Sequence, residues 1–494
     1  MCAGMFMAIL DIQIVASSLP EIQHALDIRK DDLSWIQTGY LISEVVAIAL
    51  TGWLTRLLSL RGLFVGATFG FAAASLGCAL SAGFASLVTM RVLQGFFGGA
   101  LIPAVFTSVF VLFPERRRIL ATTLAGVFAM IAPTIGPAVG GYLTETYTWH
   151  AIFLVNLLPA LAVAIVVALA VRASKPDWSE WARLDYGTLI FAVLFLASLE
   201  ILMKEGPPRG WSGDVVGALL FLCPISGIAV VGLCLARDRP LLDMRAFADR
   251  AFSVGCILSF VLGIGLYGSV YLLPLFLGFV RGHSPLEIGT IMMVTGATQL
   301  FVSPFAALAE TRVRPRILAA VGFGLFAAGL VSNGFETYQS DFDELFWPQA
   351  MRGAAVMLCL LPATRLALDG WSEKRLADAS ALFNLMRNLG GAIGIALIDS
   401  VVEQSAPRHA AALFDRLQAG DADAARVVGL PLDRFGQGPL GPIDELTKAM
   451  IEPLVERASL VLAFNEAWIL TGVVLAAALL VLSGVRVETR RSGD

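Results

Sequence analysis

Residues 131–143, IAPTIGPAVGGYL, form an uncharged apolar stretch that contains two prolines and three glycines. In the helix of a soluble protein, each proline costs about 3 kcal/mol and each glycine about 1 kcal/mol relative to alanine. In a membrane, neighbouring helices satisfy the broken hydrogen-bond ladder, and small residues let helices approach closely. A second glycine-rich apolar stretch, RVLQGFFGGALIPA, occupies residues 91–104. Both stretches therefore indicate tightly packed membrane helices.

The composition agrees with a membrane protein. Of the 494 residues, 57% are hydrophobic and 15% are charged, and the mean hydropathy is +0.77. Soluble domains contain about 25% charged residues, so a soluble protein of this size is excluded. The six cysteines all lie in apolar runs without zinc-ligand spacing, which predicts neither disulfides nor a metal site.

Fourteen stretches are long and apolar enough to cross a bilayer, which takes about 20 residues. The predicted membrane helices 1 to 14 cover residues 2–19, 34–56, 62–82, 85–112, 119–143, 150–172, 186–203, 215–236, 252–279, 286–308, 316–335, 346–366, 379–402 and 459–484. An even number of spans places both termini on the same side of the membrane.

Basic residues indicate which side that is. On the side of the termini they cluster at 116–118, 172–183, 237–250, 312–316 and in the tail 486–491. The short loops on the opposite side carry few, and cytoplasmic loops are the ones enriched in Lys and Arg. We therefore predict that both termini are cytoplasmic. The exception is the outer segment 403–458 with its six basic residues, but long segments follow the rule less strictly.

A faint duplication runs through the chain. The turn GWLTRLLSLRGLF between helices 2 and 3 corresponds to AALAETRVRPRIL between helices 10 and 11. RVLQG in helix 4 corresponds to QAMRG in helix 12, and the glycine-rich half of helix 5 corresponds to NLMRNLGGAIG in helix 13. Internal repeats of this kind are typical of transporters that work by alternating access.

The duplication predicts an all-α membrane protein with two six-helix halves around a central cavity. The expected N-terminal half is 1–172 and the C-terminal half is 252–494, which includes the outer segment 403–458. Residues 173–251 carry the two inserted helices, 7 and 8, with their flanking cytoplasmic loops.

Six stretches of the sequence resemble motifs of a known family. They are LDIQIVASSLPEI (10–22), WIQTGYLI (35–42), GWLTRLLSLRG (52–62), RVLQGFFGGALIP (91–103), GPAVGG (136–141) and WHAIFLVNLLP (149–159). In these stretches the chain resembles the major facilitator superfamily, specifically its fourteen-helix drug–proton antiporters of the EmrB/QacA type. Two positions depart from the family pattern, since Arg56 stands where an Asp is usual and Ala132 replaces a motif glycine.

The resemblance implies the major facilitator fold and the proton as coupling ion, with no other cofactor. GP-x-x-GG is the antiporter motif of the family. It implies that Gly136, Pro137, Gly140 and Gly141 form a tight outer seam, which seals against proton leak and hinges when the transporter opens.

Three charged residues inside the spans are candidates for proton coupling: Asp11, Glu44 and Arg91. A charge inside a span costs about 2.5–3.5 kcal/mol, so each needs a reason to be there. At 1.5 Å per residue, Asp11 and Glu44 both lie about 13 Å from the end of their helix. Asp11 either titrates or forms a structural ion pair with Arg91. Arg91 either takes part in proton transfer or anchors packing, and Glu44 either handles protons or hydrogen-bonds a neighbouring helix.

Further residues have expected roles in the cavity, in packing and at the gate. Candidates for lining the substrate cavity, with satisfied packing as the alternative, are Gln37, Tyr40 and Gln94. The expected helix-packing glycines are Gly95, Gly98 and Gly99. The expected cytoplasmic gate consists of Gly52, Arg56, Arg61, Asn384 and Arg387, although the last two equally suit a structural hydrogen bond. Carboxylates near outer helix ends, read as structural or interfacial, are Glu200, Asp399 and Glu466.

The outer segment 403–458 is the one long polar stretch. Its Ala-rich and apolar residues recur at helical intervals on either side of a Gly/Pro turn at 436–442. We predict a helical hairpin lying on the outer membrane surface. It is either a connector or a docking face for a periplasmic adaptor.

Together these features predict proton-coupled efflux of hydrophobic or amphiphilic compounds across the bacterial inner membrane. The expected partners are lipophilic small molecules and membrane lipids, with a periplasmic adaptor and an outer-membrane channel where an outer membrane exists, and no nucleic acid. Export of one dedicated metabolite or lipid is the alternative. A membrane enzyme is disfavoured because the four histidines are scattered through outer loops. A non-transporting receptor would leave the buried charges without a reason.

Overall fold

The computed structural model of the chain describes residues 1–29, 32–171, 176–183, 185–206, 209, 211–237, 243–369, 371, 373–431 and 445–484. The loops at 172–175 and 238–242 and the tail after residue 484, whose basic residues entered the predicted orientation, lie outside the described residues. The predicted Gly/Pro turn at 436–442 does so as well. The two sides of the membrane are named below from that predicted orientation.

The membrane helices keep their predicted numbers. Helix 1 is Cys2–Ala25, helices 2 and 3 share Trp35–Ala79, helix 4 is Phe84–Leu112, helix 5 is Glu115–Thr146, helix 6 is Ala151–Leu154 with Leu157–Ala170, helix 7 is Tyr186–Glu205, helix 8 is Asp214–Ala236, helix 9 is Arg250–Phe276, helix 10 is Pro285–Arg312, helix 11 is Pro315–Ser332, helix 12 is Phe342–Leu368, helix 13 is Glu373–Gln418 and helix 14 is Glu445–Gly484.

Helices 2 and 3 are two spans joined without a loop. Their segment has 45 residues, or about 68 Å at 1.5 Å per residue, which is twice the thickness of a hydrocarbon core. Ser59 breaks the helix with a φ of 67° and a ψ of 159°, a backbone conformation that is uncommon outside glycine. Gly39 and Gly77, on either side of this break, face Val92 and Met90 of the same stretch of helix 4. The chain therefore doubles back at Ser59.

This break confirms the predicted number of spans. Thirteen helices of the described chain are long and apolar enough to cross a membrane, and counting the broken helix as two gives fourteen.

Packing within the bundle separates inner helices from lipid-facing ones. Helices 5 and 10, 2 and 13, and 1 and 9 pack against each other across the middle of the bundle. Helices 7 and 8 pair at the periphery, where the Ser400 hydroxyl of helix 13 donates to the carbonyl of Met203 at 2.8 Å. Large apolar side chains such as Phe221 and Ile228 of helix 8 are exposed. In a membrane such faces contact lipid.

The outer segment forms the predicted helical arms, and the second runs into helix 14, but the first continues helix 13 and does not lie as a separate helix on the outer surface. Helix 13 continues without a break to Gln418, and helix 14 begins at Glu445, well before its predicted membrane start. A short helix, Ala422–Val428, follows helix 13. The side chains of Leu413, Leu417, Ala424, Ala425, Val428, Val455 and Ala458 form a separate apolar core between these parts. We call these extensions, 403–428 and 445–458, the outer extension. It projects from two spans because its own core lets both helices continue beyond the bilayer.

An ionic cluster ties two outer loops together. The Asp341 carboxylate accepts a hydrogen bond from Arg281 at 2.7 Å and from the N–H of Phe342 at 2.8 Å, and it lies 2.9 Å from Nε2 of His283. Partial burial raises the pKa of Asp341, but the hydrogen bonds from Arg281, Phe342 and His283 outweigh burial and hold this pKa below its ordinary value. The cluster thus stabilises the folded loop when Asp341 is ionised.

The cluster makes the outer loop before helix 12 sensitive to acid. Because the folded-state pKa of Asp341 is lowered, its stabilisation is complete above the unfolded value of about 3.9 and is lost as the pH falls through the lower folded value. We expect intrinsic-rate-corrected hydrogen exchange of residues 333–341 to rise only below about pH 4. Asp341→Asn should show the fast exchange at neutral pH, whereas the exposed neighbour variant Asp343→Asn should not. Equal exchange rates in both variants would contradict a stabilising role of the ionic cluster.

Candidate functional site

Asp11 and Arg91 form an ion pair at the centre of the N-terminal half. Both side chains are fully buried, and Nη1 of Arg91 donates to Oδ2 of Asp11. The other carboxylate oxygen accepts hydrogen bonds from Gln94 at 2.8 Å and from Asn156 at 2.7 Å. Both oxygens of Asp11 are therefore occupied by donors, whereas Nη2 of the buried Arg91 has no hydrogen-bond partner.

Arg91 joins three helices. Its Nε donates to the carbonyl of Ile36 at 3.0 Å, its Nη1 donates to Oε1 of Gln94 at 2.6 Å, and its guanidinium lies 4.4 Å from the ring centroid of Tyr40. The hydroxyl of Tyr40 in turn donates to the carbonyl of Ala8 at 3.2 Å. Helices 1, 2 and 4 are thus fixed around one cation.

Asn156 and Ser75, for which the sequence predicted no role, also belong to this network. Asn156 lies in the gap between the two parts of helix 6, where the chain can turn its side chain toward Asp11. Ser75 of helix 3 accepts a hydrogen bond from Gln94 at 2.8 Å. Asn156 falls in the family stretch WHAIFLVNLLP and is a polar residue in an apolar span. That signal was available in the sequence.

Glu44 is buried in a different way from Asp11. Its side chain is 1% exposed, and its Oε2 has no hydrogen-bond partner. The guanidinium groups of Arg387 and Arg91 are close enough to attract this carboxylate. Arg387 belongs to helix 13 and Glu44 to helix 2, so this attraction crosses between the two halves.

Arg387 and Asn384 lie deeper than the predicted cytoplasmic gate. Helix 13 begins at Glu373, so Arg387 is about 21 Å along its axis. The side chain of Arg387 donates to Asn384 at 2.7 Å and also interacts with Tyr267 of helix 9. The structure places this arginine in the interior, near Glu44 and Tyr267, and not in the first turns of helix 13.

The other predicted gate residues contact the N-terminal half and the inserted segment that follows it. Arg56 pairs with Glu180 at 3.0 Å, and the Nε1 of Trp53 donates to the Glu180 carbonyl at 2.9 Å. Arg61 donates to the carbonyl of Val171 at 3.4 Å. Gly52 has no neighbour within 4 Å of where a Cβ would lie. In this conformation the described contacts of Arg56 and Arg61 tie Val171 and the short helix Trp178–Arg183 to the N-terminal half.

The three candidate cavity residues differ in how fully they are bonded. Tyr40 and Gln94 are buried and engaged in the Arg91 network. Gln37 is 2% exposed, and its Nε2 has no partner. Of the three, Gln37 is thus the one with an unused buried donor.

Three glycines of helix 4 let this helix pack closely against helix 2. A Cβ on Gly95 would lie 2.2 Å from the carbonyl oxygen of Tyr40, and one on Gly99 would lie 2.7 Å from that of Glu44. A Cβ on Gly98 would lie 2.5 Å from the Tyr40 hydroxyl. These contacts place helix 4 directly behind the segment that carries Tyr40 and Glu44.

The GPAVGG stretch is in contact with two helices. Cβ atoms on Gly136 and Gly140 would meet helix 1, at 2.5 Å from Cβ of Gln13 and 2.4 Å from the carbonyl of Ile14. A Cβ on Gly141 would lie 2.1 Å from the carbonyl of Pro285 in helix 10.

Helix 10 contributes matching glycines to this contact. A Cβ on Gly289 would lie 2.2 Å from the carbonyl of Pro137, and one on Gly296 would lie 2.3 Å from Cα of Thr134. Backbone thus touches backbone between the halves along helices 5 and 10.

Polar contacts also close the outer side. The Ser34 hydroxyl of helix 2 donates to Oδ2 of Asp399 in helix 13 at 2.8 Å. The N–H of Leu286 donates to Glu145 at 3.1 Å. With the glycine contacts of helices 5 and 10, these bonds hold the two halves together at their outer ends.

Gly141→Ala should open this seam. Since a Cβ cannot lie 2.1 Å from a carbonyl oxygen, helices 5 and 10 must separate at that point. We expect a membrane-impermeant maleimide to label Ser18→Cys from outside several-fold faster in the Gly141→Ala background. Gly52→Ala, which meets nothing, is the matched control and should leave labelling unchanged. Identical rates in both backgrounds would contradict a glycine-dependent seam.

A profile of the Major Facilitator Superfamily matches residues 1–395. The chain belongs to the major facilitator superfamily. It is 38% identical over 410 residues to the colistin resistance protein EmrB of Acinetobacter baumannii, covering 83% of this chain and 80% of that protein. It is 27% identical over 480 residues to the multidrug export protein EmrB of Escherichia coli, covering 95% and 91%. These matches place it among the EmrB-type members of the superfamily.

Solved structures agree on the fold. A bacterial homologue of the human lysosomal transporter Spinster, in an inward-facing and occupied conformation, superimposes with a TM-score of 0.63 at 13% identity, covering 98% of this chain and 94% of that one. As a major facilitator with fourteen spans, the chain is a secondary transporter of the bacterial inner membrane and not an enzyme.

Proposed function

We propose that this transporter exports hydrophobic and amphiphilic compounds in exchange for protons by alternating access, and that Glu44 is the group that exchanges the proton. The observation that carries the proposal is a buried carboxylate with an unpartnered oxygen, attracted to Arg387 of the opposite half. The multidrug export named for the Escherichia coli relative supports the direction and the substrate class.

The cross-half attraction gives Glu44 a way to couple protons to movement. Ionised Glu44 attracts Arg387 and thereby draws helix 2 toward helix 13. A proton on Glu44 cancels that attraction, which biases the halves toward the arrangement in which the two residues are apart. Since a buried carboxylate oxygen without a hydrogen bond is costly, a cationic group of a substrate and a proton each relieve the same cost. Proton and substrate then compete for one site, as antiport requires.

Asp11 has a supporting role in this proposal. Its oxygens accept hydrogen bonds from Arg91, Gln94 and Asn156, and in this proposal the pair keeps Arg91 beside Glu44. Arg91 then contributes a positive charge next to the carboxylate of Glu44.

The outer extension is proposed as the docking face for a periplasmic adaptor that leads to an outer-membrane channel. Cytoplasmic termini, which we propose from the basic loops, place this extension outside the membrane. Photocrosslinking from the exposed position Ala411 tests contact with a candidate adaptor. Crosslinks should form from Ala411 and not from Phe221 on the lipid-facing helix 8.

Proton exchange is tested with purified protein in liposomes that carry a pH gradient. Lipophilic cations, uncouplers and fatty acids are added one at a time, and the internal pH is followed. Several unrelated compounds that each release protons would support multidrug antiport. A response to one compound would favour the dedicated exporter. Absence of any response, in folded protein that binds these compounds, would overturn proton coupling.

A further inference from the structure

A cavity of about 340 Å³ lies within the C-terminal half at its outer end. Helices 9, 13 and 14 and the base of the outer extension enclose it. This volume falls in the range of about 300–1,000 Å³ typical of small-molecule sites. The cavity is separate from the Glu44 site, since its lining residues belong to 271–279, 398–414 and 452–464.

Most of the wall is apolar and partly aromatic. Leu275, Phe279, Phe414 and Phe464 line it, and Tyr271 lies at its inner end. Such walls gain free energy by covering the apolar body of a ligand. Aromatic faces additionally attract a cation placed over them.

The charges on the wall have one sign. Asp399, Glu403, Glu452 and Glu456 line the cavity, and among the described lining residues there is no Lys, Arg or His. Glu452 and Glu456 are exposed at the rim, and Asp399 is 9% exposed at the inner end. An organic anion would be repelled by this arrangement, whereas an amphiphilic cation matches both its apolar surface and its charge.

Asp399 connects the cavity to the outer seam. Its Oδ1 accepts a hydrogen bond from Tyr271 at 2.9 Å, and its Oδ2 accepts the bond from Ser34 of the N-terminal half at 2.8 Å. The carboxylate that closes the seam on helix 13 is therefore also part of the cavity wall. A cation in the cavity attracts the negative charge of this carboxylate and weakens the hydrogen bond that the carboxylate accepts from Ser34.

We propose that this outer cavity is a second binding site, specific for amphiphilic organic cations, whose occupancy favours opening of the outer seam through Asp399. The site is independent of proton exchange at Glu44. Its ligand binds whether or not the proposed antiport takes place.

The test is equilibrium binding of tetraphenylphosphonium to the purified full-length protein. Ala406→Phe fills the cavity from helix 13, and Glu403→Gln removes one wall charge without changing its shape. Each variant should lower the affinity of the cavity site for tetraphenylphosphonium about tenfold or more. The matched control Ala411→Phe adds the same bulk at an exposed position that does not line the cavity, and it should bind like the parent. Size-exclusion profiles verify that each variant is folded.

Tetraphenylborate has nearly the same shape with the opposite charge and should not bind to the Ala406-dependent site. Unchanged tetraphenylphosphonium binding in both cavity variants would overturn the proposal, as would equal binding of the borate. Glu44→Gln separates the two hypotheses. If it abolishes proton movement and leaves the Ala406-dependent site intact, the cavity site stands. If proton movement never occurs but that site binds the cation, only the proposed antiport fails.

Discussion

Glu44→Gln is expected to abolish substrate-driven proton movement while the protein still folds, and to weaken the binding of cationic substrates because they lose the carboxylate for which they compete with the proton. Glutamine has the shape of protonated glutamate but cannot ionise, so the attraction to Arg387 across the halves is permanently absent. Removing a group that must transfer a proton typically slows a reaction by about 10²–10⁴-fold. We expect proton flux in the liposome assay to fall by at least about a hundredfold, and its dependence on pH to flatten.

Two variants distinguish loss of the carboxylate from general damage. Glu44→Asp keeps an ionisable group and should retain part of the flux with a shifted pH profile. Glu466→Gln removes a carboxylate that lies in helix 14 and is paired with His409 at 2.9 Å, far from the Arg387 site, and it should transport normally. Full activity of Glu44→Gln would show that another group carries the proton.

Asp11→Asn is expected to act mainly on stability. It leaves the fully buried Arg91 without its counter-charge, and breaking one partner of a buried pair costs about 3–5 kcal/mol. Thermal unfolding in detergent should shift strongly downward, with a reduced folded yield. Asp32→Asn is the matched control because its pair with Arg29 is exposed, and exposed pairs contribute only about 0–1 kcal/mol.

The double variant Asp11→Asn with Arg91→Gln separates structure from coupling. It removes both charges, so we expect it to recover much of the stability lost in Asp11→Asn alone. If the proton is carried by Glu44, this variant should still show a pH-dependent flux, although a reduced one. A stable double variant whose flux no longer depends on pH would instead assign the proton to the Asp11–Arg91 pair.

Hydropathy predicted the fold well because a bilayer demands apolar helices of a fixed length. It failed where the helix continues into water. The stretch after residue 402 contains Arg, His and Asp side chains, so it no longer reads as a span. Yet Leu413 and Leu417 pack into a local core and prolong helix 13. Hydropathy marks where the membrane ends and not where a helix ends.

The candidate site was predicted residue by residue but not as a network. Asp11, Glu44 and Arg91 stood out because an ionised group inside an apolar span is expensive. Their different surroundings could not be read from the sequence, since Asn156 lies 145 residues from Asp11 along the chain. The same holds for Arg387, whose neighbour Glu44 lies in the other half of the chain.

The continuous helix 13 has a mechanical consequence outside the membrane. Because it runs unbroken from the Arg387 site to Gln418, its outer end must follow any tilt of the C-terminal half. From residue 402 to its end the helix extends about 24 Å at 1.5 Å per residue, so a tilt of about 10° would move the tip by about 4 Å. The position of the outer extension outside the bilayer therefore changes with the tilt of the C-terminal half, and so with the opening and closing of the cleft between the halves.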